Sequence, residues 1–336
     1  MSGPAVTSKA GTASIAVLAA ALLAPASPAF AQAECAELLG RSDVDLDTVV
    51  DAGCELTAEQ ISRLMDNPVG ELVMMPIQYD RLTVEEAFTG SEQVIETVKI
   101  IPTYPVRVGD WNLVNRAAFS FARLPIDTDA FADVGTQSDT LDVSIDGPPL
   151  VSDPFAGSTS GFGDLAYVGL FTPRESTPIG DGQFIWAAGP TMILPTASED
   201  FLGQGKVQVG PAFAAAYLGR DWTVGVFPQH WWSVSGDDDR PTVSQTNIQY
   251  FVYRKLPNQW SIGASPNISI DWTDDDGAAV NFPIGIGLNK TLFLGRVPAR
   301  VGVEASYYAL RDDDAIAPEW GLRFSITPVV PAAFLR

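Results

Sequence analysis

The chain has 336 residues, a formal net charge of −21 and a single histidine. No basic stripe is available to neutralise phosphates, which excludes nucleic acid as a partner. Hydrophobic residues make up 46% and charged residues 18%, yet beyond the N-terminus no apolar run is long enough to cross a bilayer as a helix, and apolar residues dispersed in this way suit a β-barrel with one face in lipid.

At the N-terminus Lys9 supplies a positive charge, an apolar run follows from Ala13 to Ala24, and Ala29-Phe30-Ala31 offers a small-residue cleavage site. This is the pattern of a secretion signal over residues 1–31. It predicts a mature chain starting near Gln32, exported through the Sec pathway. Cys35 and Cys54 then reach an oxidising compartment, where a disulfide closing a small loop is expected and two unpaired thiols are the other reading. Thr57 with Gln60 forms a capping box ahead of Ile61, Leu64 and Met65, so residues 32–69 are expected to be a short helical segment on the periplasmic side.

From Glu71 onward the period is two. The clearest strand runs from Trp260 to Trp272: Trp260, Ile262, Ala264, Pro266, Ile268, Ile270 and Trp272 share one face, and Ser261, Gly263, Ser265, Asn267, Ser269 and Asp271 the other. At a rise of about 3.3 Å per residue and a tilt near 40°, the two tryptophans lie about 30 Å apart along the membrane normal. That spacing suits two aromatic girdles around an apolar band. Similar segments lie near residues 71–79, 94–108, 111–123, 160–173, 182–195, 205–218, 221–233, 245–252, 280–288, 300–307 and 320–327. The expected fold is therefore all-β: a transmembrane antiparallel β-barrel of about 12 strands over residues 70–336, preceded by the signal peptide and the helical segment.

The connections alternate between short turns that often carry Arg or Lys and longer acidic loops, as in a barrel with both chain ends in the periplasm. Each triple-Asp run, Asp237-Asp238-Asp239, Asp274-Asp275-Asp276 and Asp312-Asp313-Asp314, falls on the outer side. Consecutive carboxylates at one rim could hold Ca²⁺ or Mg²⁺ weakly, although none has the spacing of an EF-hand, and solvated turns explain them equally well. No other cofactor is expected. The longest outer connection, Leu124 to Thr159, either folds into the lumen or stays solvated.

Asn67-Pro68-Val69-Gly70-Glu71-Leu72, Trp111-Asn112-Leu113-Val114, Gly161-Phe162-Gly163-Asp164 and Gly189-Pro190-Thr191-Met192-Ile193-Leu194-Pro195-Thr196-Ala197, followed by Leu202-Gly203-Gln204-Gly205-Lys206, resemble the putative MetA-pathway phenol-degradation family. The resemblance covers most of Asn67 to Pro331. It implies a Gram-negative outer-membrane barrel, a transporter label, and uptake of aromatic or other small hydrophobic compounds.

Chemistry motifs are scarce. A Ser-His-Asp triad would have to use His230, with Ser233 or Ser235 as nucleophile; His230 shares a face with Val224 and Val226 beside Trp231 and Trp232, which suits a girdle better than catalysis. No enzyme is expected. Alternation places Lys99, Arg107, Arg116, Asp164, Lys206, Gln208, Asn267, Asp271, Arg300, Glu304 and Arg323 on the lumen side. Such a lumen is expected to form a narrow channel for small solutes, with outer-membrane lipid as the other partner. The alternative is a structural or surface-interaction barrel whose opposite charges pair across the lumen and plug it. Sequence sets neither the solute nor the oligomeric state.

Overall fold

The computed structural model describes residues 35, 54, 58–86, 92–126, 157–273, 277–295, 297–311 and 316–329. The signal peptide, Thr57 of the capping box, most of the 124–159 loop and the Asp runs at 274–276 and 312–314 lie outside them. Cys35 and Cys54 are joined by a disulfide. They belong to one compact unit, and the chain from Thr57 onward forms a second, which holds the barrel.

That second unit begins with helix α1 (Ala58–Met65), which buries Ile61 and Met65, one turn apart on one face. Sixteen strand segments follow: β1 (Ile77–Glu86), β2 (Glu92–Ile100), β3 (Thr103–Val108), β4 (Trp111–Leu124), β5 (Thr159–Phe162), β6 (Leu165–Pro173), β7 (Thr177–Ile179), β8 (Gly182–Leu194), β9 (Lys206–Leu218), β10 (Trp222–Gly236), β11 (Ser244–Leu256), β12 (Trp260–Ala264), β13 (Asn267–Asp271), β14 (Ala279–Leu294), β15 (Val297–Leu310) and β16 (Ile316–Pro328). Three strands are interrupted: β2 continues as β3, β5 as β6 and β7, and β12 as β13. The result is a closed antiparallel barrel of 12 strands, sealed where β1 pairs with β16 from Ile77↔Ile326 to Glu86↔Ile316.

Closure removes the sheet edge, which hydrocarbon does not tolerate. The outer face is apolar and open, with Phe213 at 43%, Ile286 at 63% and Phe324 at 48% exposure. So much exposed apolar surface is stable only against lipid. Trp111, Trp222, Trp260 and Phe293 mark the end with short turns, and Trp232, Trp272, Tyr307 and Trp320 the end with long loops. These are the two girdles, and the barrel lies in the outer membrane.

The first strand differs from the expectation at 71–79: β1 starts at Ile77. Leu72 and Met74 supply an apolar alternation, but both are buried, and Met74 only bridges Val329 and Thr103. The true strand was masked by charge on its outer face. Arg81 pairs in register with Glu96 of β2, which pairs with Arg123 of β4, and the Tyr79 hydroxyl donates to Glu96 at 2.5 Å.

Candidate functional site

The inner face differs from one wall to the other. Along β4 to β11, Val114, Leu170, Ile185, Ala214, Phe227 and Phe251 point inward and are buried. Part of their cover is the chain itself. After α1 the backbone turns at Asn67, whose Oδ1 accepts the Val69 N–H at 3.0 Å, and Val69 packs into this cluster with 4% exposure. The space left beside Pro68 and Val69 is about 30 Å³, room for little more than a water molecule. Arg116 opens onto the same space, its guanidinium 5.8 Å from the centre of the Phe227 ring.

Side chains at the short-turn end hold α1 and the following segment. Arg300 donates to the Ser62 carbonyl at 2.9 Å and to Asp66 at 2.7 Å, and Lys255 reaches the other Asp66 oxygen at 3.0 Å. Further along, Glu71 accepts from Arg107 at 3.1 Å and from Asn112 at 3.2 Å, with Arg174 at 3.5 Å. Arg107 and Arg300 thus grip the N-terminal segment rather than line an open passage. The helical segment was legible in the sequence, but its seat in the barrel mouth was not, because Asp66 and Arg300 are 234 residues apart.

The opposite wall is charged. Asp80 on β1 accepts from Arg323 on β16 at 2.6 Å and from Lys99 on β2 at 3.1 Å. Glu304 on β15 lies 4.0 Å from Arg323 and accepts the Ser265 N–H at 2.8 Å. Charges of opposite sign on adjacent strands are close enough to neutralise one another. Asn267 pairs in register with Gln249 of β11.

At the long-loop end Gln208 is fully buried, donating to Gln204 at 2.6 Å and accepting from Gln245 at 2.7 Å. Lys206 donates to the Asp237 carbonyl, and the Asp237 carboxylate accepts the Asp239 N–H at 3.1 Å. Among the described residues no group of three or more His, Cys, Asp and Glu is arranged to hold a metal. Asp271 also differs from its expected role: it accepts from the Thr273 N–H at 2.8 Å and hydroxyl at 2.6 Å, capping its own loop.

Asp164 departs most from the lumen assignment. It sits in the break between β5 and β6, where one oxygen accepts the Thr196 and Ala197 N–H groups at 3.1 Å each and the other accepts Gln204 at 2.8 Å. One carboxylate thereby ties both ends of the 196–204 loop at the long-loop end, because a break in the ladder frees Asp164 to turn toward neighbouring backbone. Asp164→Ala is expected to cost about 2 kcal/mol, as charge-assisted hydrogen bonds are lost. It should also make that loop cleavable by protease added to intact cells. Unchanged cleavage would show that the loop is held by other means.

His230 points outward. Its Nδ1 lies 2.7 Å from the Thr246 hydroxyl, which also accepts from Trp272 Nε1 at 2.8 Å, and its ring packs 4.1 Å from that of Trp232. Ser233 lies on the inner face, where its hydroxyl accepts the Val243 N–H, so the two residues do not meet. Sequence reasoning missed Asp66, Asp80 and Tyr250. Asp80 was hidden by the misplaced first strand, and the other two act through partners far along the chain.

The family model described as Putative MetA-pathway of phenol degradation matches residues 88–317. The chain belongs to that family. Among solved structures, this family member is similar to the COG4313 outer membrane channel from Pseudomonas putida F1, with a TM-score of 0.55 and 15% identity over 79% of this chain and 97% of that one. It is more loosely similar to outer membrane phospholipase A from Escherichia coli, with a TM-score of 0.38 and 10% identity over 82% and 99%. The Pseudomonas putida toluene transporter TodX gives 0.35 and 10% over 80% and 92%. The first of these shows the barrel fold; the other two carry no argument. No curated protein matches in sequence.

Proposed function

We propose that the barrel is a narrow outer-membrane passage for small, largely apolar solutes, closed at rest by its own N-terminal segment. The observation that carries this reading is the apolar inner wall of β4 to β11, with Val69 seated against it. A pore that passes water and polar solutes has a polar interior, and burying Val, Leu and Phe around it would strip those solutes of hydration without return. An apolar solute loses nothing there. The charged wall is paired within itself, through Asp80 with Arg323 and Lys99, so it offers few free charges to a polar cargo.

A plugged structural barrel is the second reading, favoured by the grip of Arg300 and Lys255 on Asp66. Cells producing the protein separate the two. Entry of an apolar dye such as 1-N-phenylnaphthylamine should accelerate severalfold over cells lacking it, while entry of glucose stays unchanged. Equal dye entry with and without the protein would leave the structural reading.

A further inference from the structure

Inward cations of this barrel are held by oxygen atoms, with one exception. Arg323 and Lys99 share Asp80, Arg300 and Lys255 share Asp66, and Arg107 reaches Glu71, each at 3.1 Å or less. Lys206 donates to the Asp237 carbonyl. Arg116 on β4 differs: among the described residues its guanidinium has no carboxylate and no hydrogen-bond acceptor, only the face of the Phe227 ring at 5.8 Å. A ring face returns only part of what hydration gives a cation, so an unpaired guanidinium among apolar side chains is costly.

The strands fix the cation at this place. Arg116 pairs in register with Thr103 of β3 and Val168 of β6, both buried, and Thr103 turns its hydroxyl to the Ile101 carbonyl at 3.3 Å. Neither neighbour answers the charge. Arg116 is the only charged residue lining the space of about 30 Å³ beside Pro68 and Val69, and Gln249 in the same lining gives its amide N–H to the Ser265 hydroxyl at 2.8 Å. Val69 shows what kind of body fits there: a small apolar group against Val114, Leu170 and Phe227, with the cation at its side.

We infer that Arg116 is a carboxylate-binding residue of the passage, and that the solutes it serves include small monocarboxylates with an apolar, preferably aromatic, body. The inference rests on the transport reading above. When the N-terminal segment withdraws, a solute taking the place of Val69 lays its body on the same wall and brings its head group to the guanidinium. The planar fork of N–H donors matches both oxygens of a carboxylate, and such a pair is stronger away from water. The hydration that a carboxylate loses on this wall is returned at Arg116 and nowhere else in that lining. A solute of the same size without an anionic head covers the wall but leaves the cation unpaired. A small anion without an apolar body meets the cation but gains nothing from Val114, Leu170 and Phe227.

Competition in the dye assay tests this, with cells lacking the protein giving the background for each compound. At about pH 8, where benzoate is ionised, it should halve the protein-dependent entry of 1-N-phenylnaphthylamine at about one tenth of the concentration that benzyl alcohol or acetate requires. Arg116→Met, similar in length and without charge, should admit the dye faster than the parent and lose the preference for benzoate over benzyl alcohol. Arg116→Lys keeps a charge without the fork and should need severalfold more benzoate than the parent, and it decides the matter if the methionine variant fails to assemble. Three results overturn the carboxylate site alone: equal inhibition of the parent by benzoate and benzyl alcohol, a benzoate preference that survives Arg116→Met, or a lysine variant as sensitive to benzoate as the parent. A parent that adds no dye entry overturns the transport reading and this site together.

Discussion

Replacing Arg323 with methionine should lower the stability of the barrel by about 3 kcal/mol, the low end of the range for breaking a buried ion pair from one side. The low end applies because the Arg323 and Asp80 side chains each keep 19% exposure, so lumen water screens part of the field. The loss has two sources. Asp80 keeps only Lys99, and Glu304 loses the nearest cation, at 4.0 Å. The Ser265 carbonyl also gives up its donor. Asp80→Asn/Arg323→Met should cost clearly less than the two single changes added together, since neither charge is then left without the other. Thermal unfolding in detergent, followed by the heat-dependent shift in electrophoretic mobility, measures both. A single variant within about 0.5 kcal/mol of the parent would mean the cluster contributes nothing to the wall.

Asp66→Ala should open the barrel mouth that α1 occupies. The Asp66 side chain is 13% exposed and its two oxygens are divided between Arg300 and Lys255, so the change removes both ion pairs at once. A loss of about 3 kcal/mol from the closed state shifts the closed-to-open ratio on the order of 100-fold. In planar bilayers, rare brief openings of the parent should become frequent in the variant. Raising the salt concentration should move the parent the same way, because screening weakens partly exposed pairs. If the open fraction does not respond, Val69 and the apolar contacts around it hold the segment without help from charge.

The barrel was legible in the sequence wherever the outer face is uniformly apolar. Trp260 to Trp272 announced itself, and its alignment with β14 is the same on both sides of the break between β12 and β13, even though no pairs form between them. β1 was misplaced because Arg81 stands among lipid-facing residues, compensated by Glu96, and a pattern search cannot see that partner. The error carried into the site: Lys99 and Arg323 were assigned to the lumen without Asp80, the residue that joins them. Asp164 and Asp271 show a second limit. Alternation assigns a face only while the strand continues, and both residues stand at strand ends or breaks where the carboxylate bends back to the main chain. Nothing in the composition of residues 58–72 says that the segment enters the mouth, since its partners on β11, β14 and β15 are contributed from the far half of the chain.

The seal between β1 and β16 joins residues such as Asp80 and Arg323, which are 243 positions apart. Contacts of such sequence separation are slow to form, because the loop entropy is lost before the contact gives anything back. Every other neighbouring pair of strands follows directly in sequence. A chain arriving N-terminus first can therefore zip up eleven strands as a curled sheet with two open edges, and those edges invite pairing with other chains until Ile316–Pro328 is delivered. Assembly of this protein is accordingly most vulnerable at its last step, and a chain truncated before β16 would be left as an unclosed sheet.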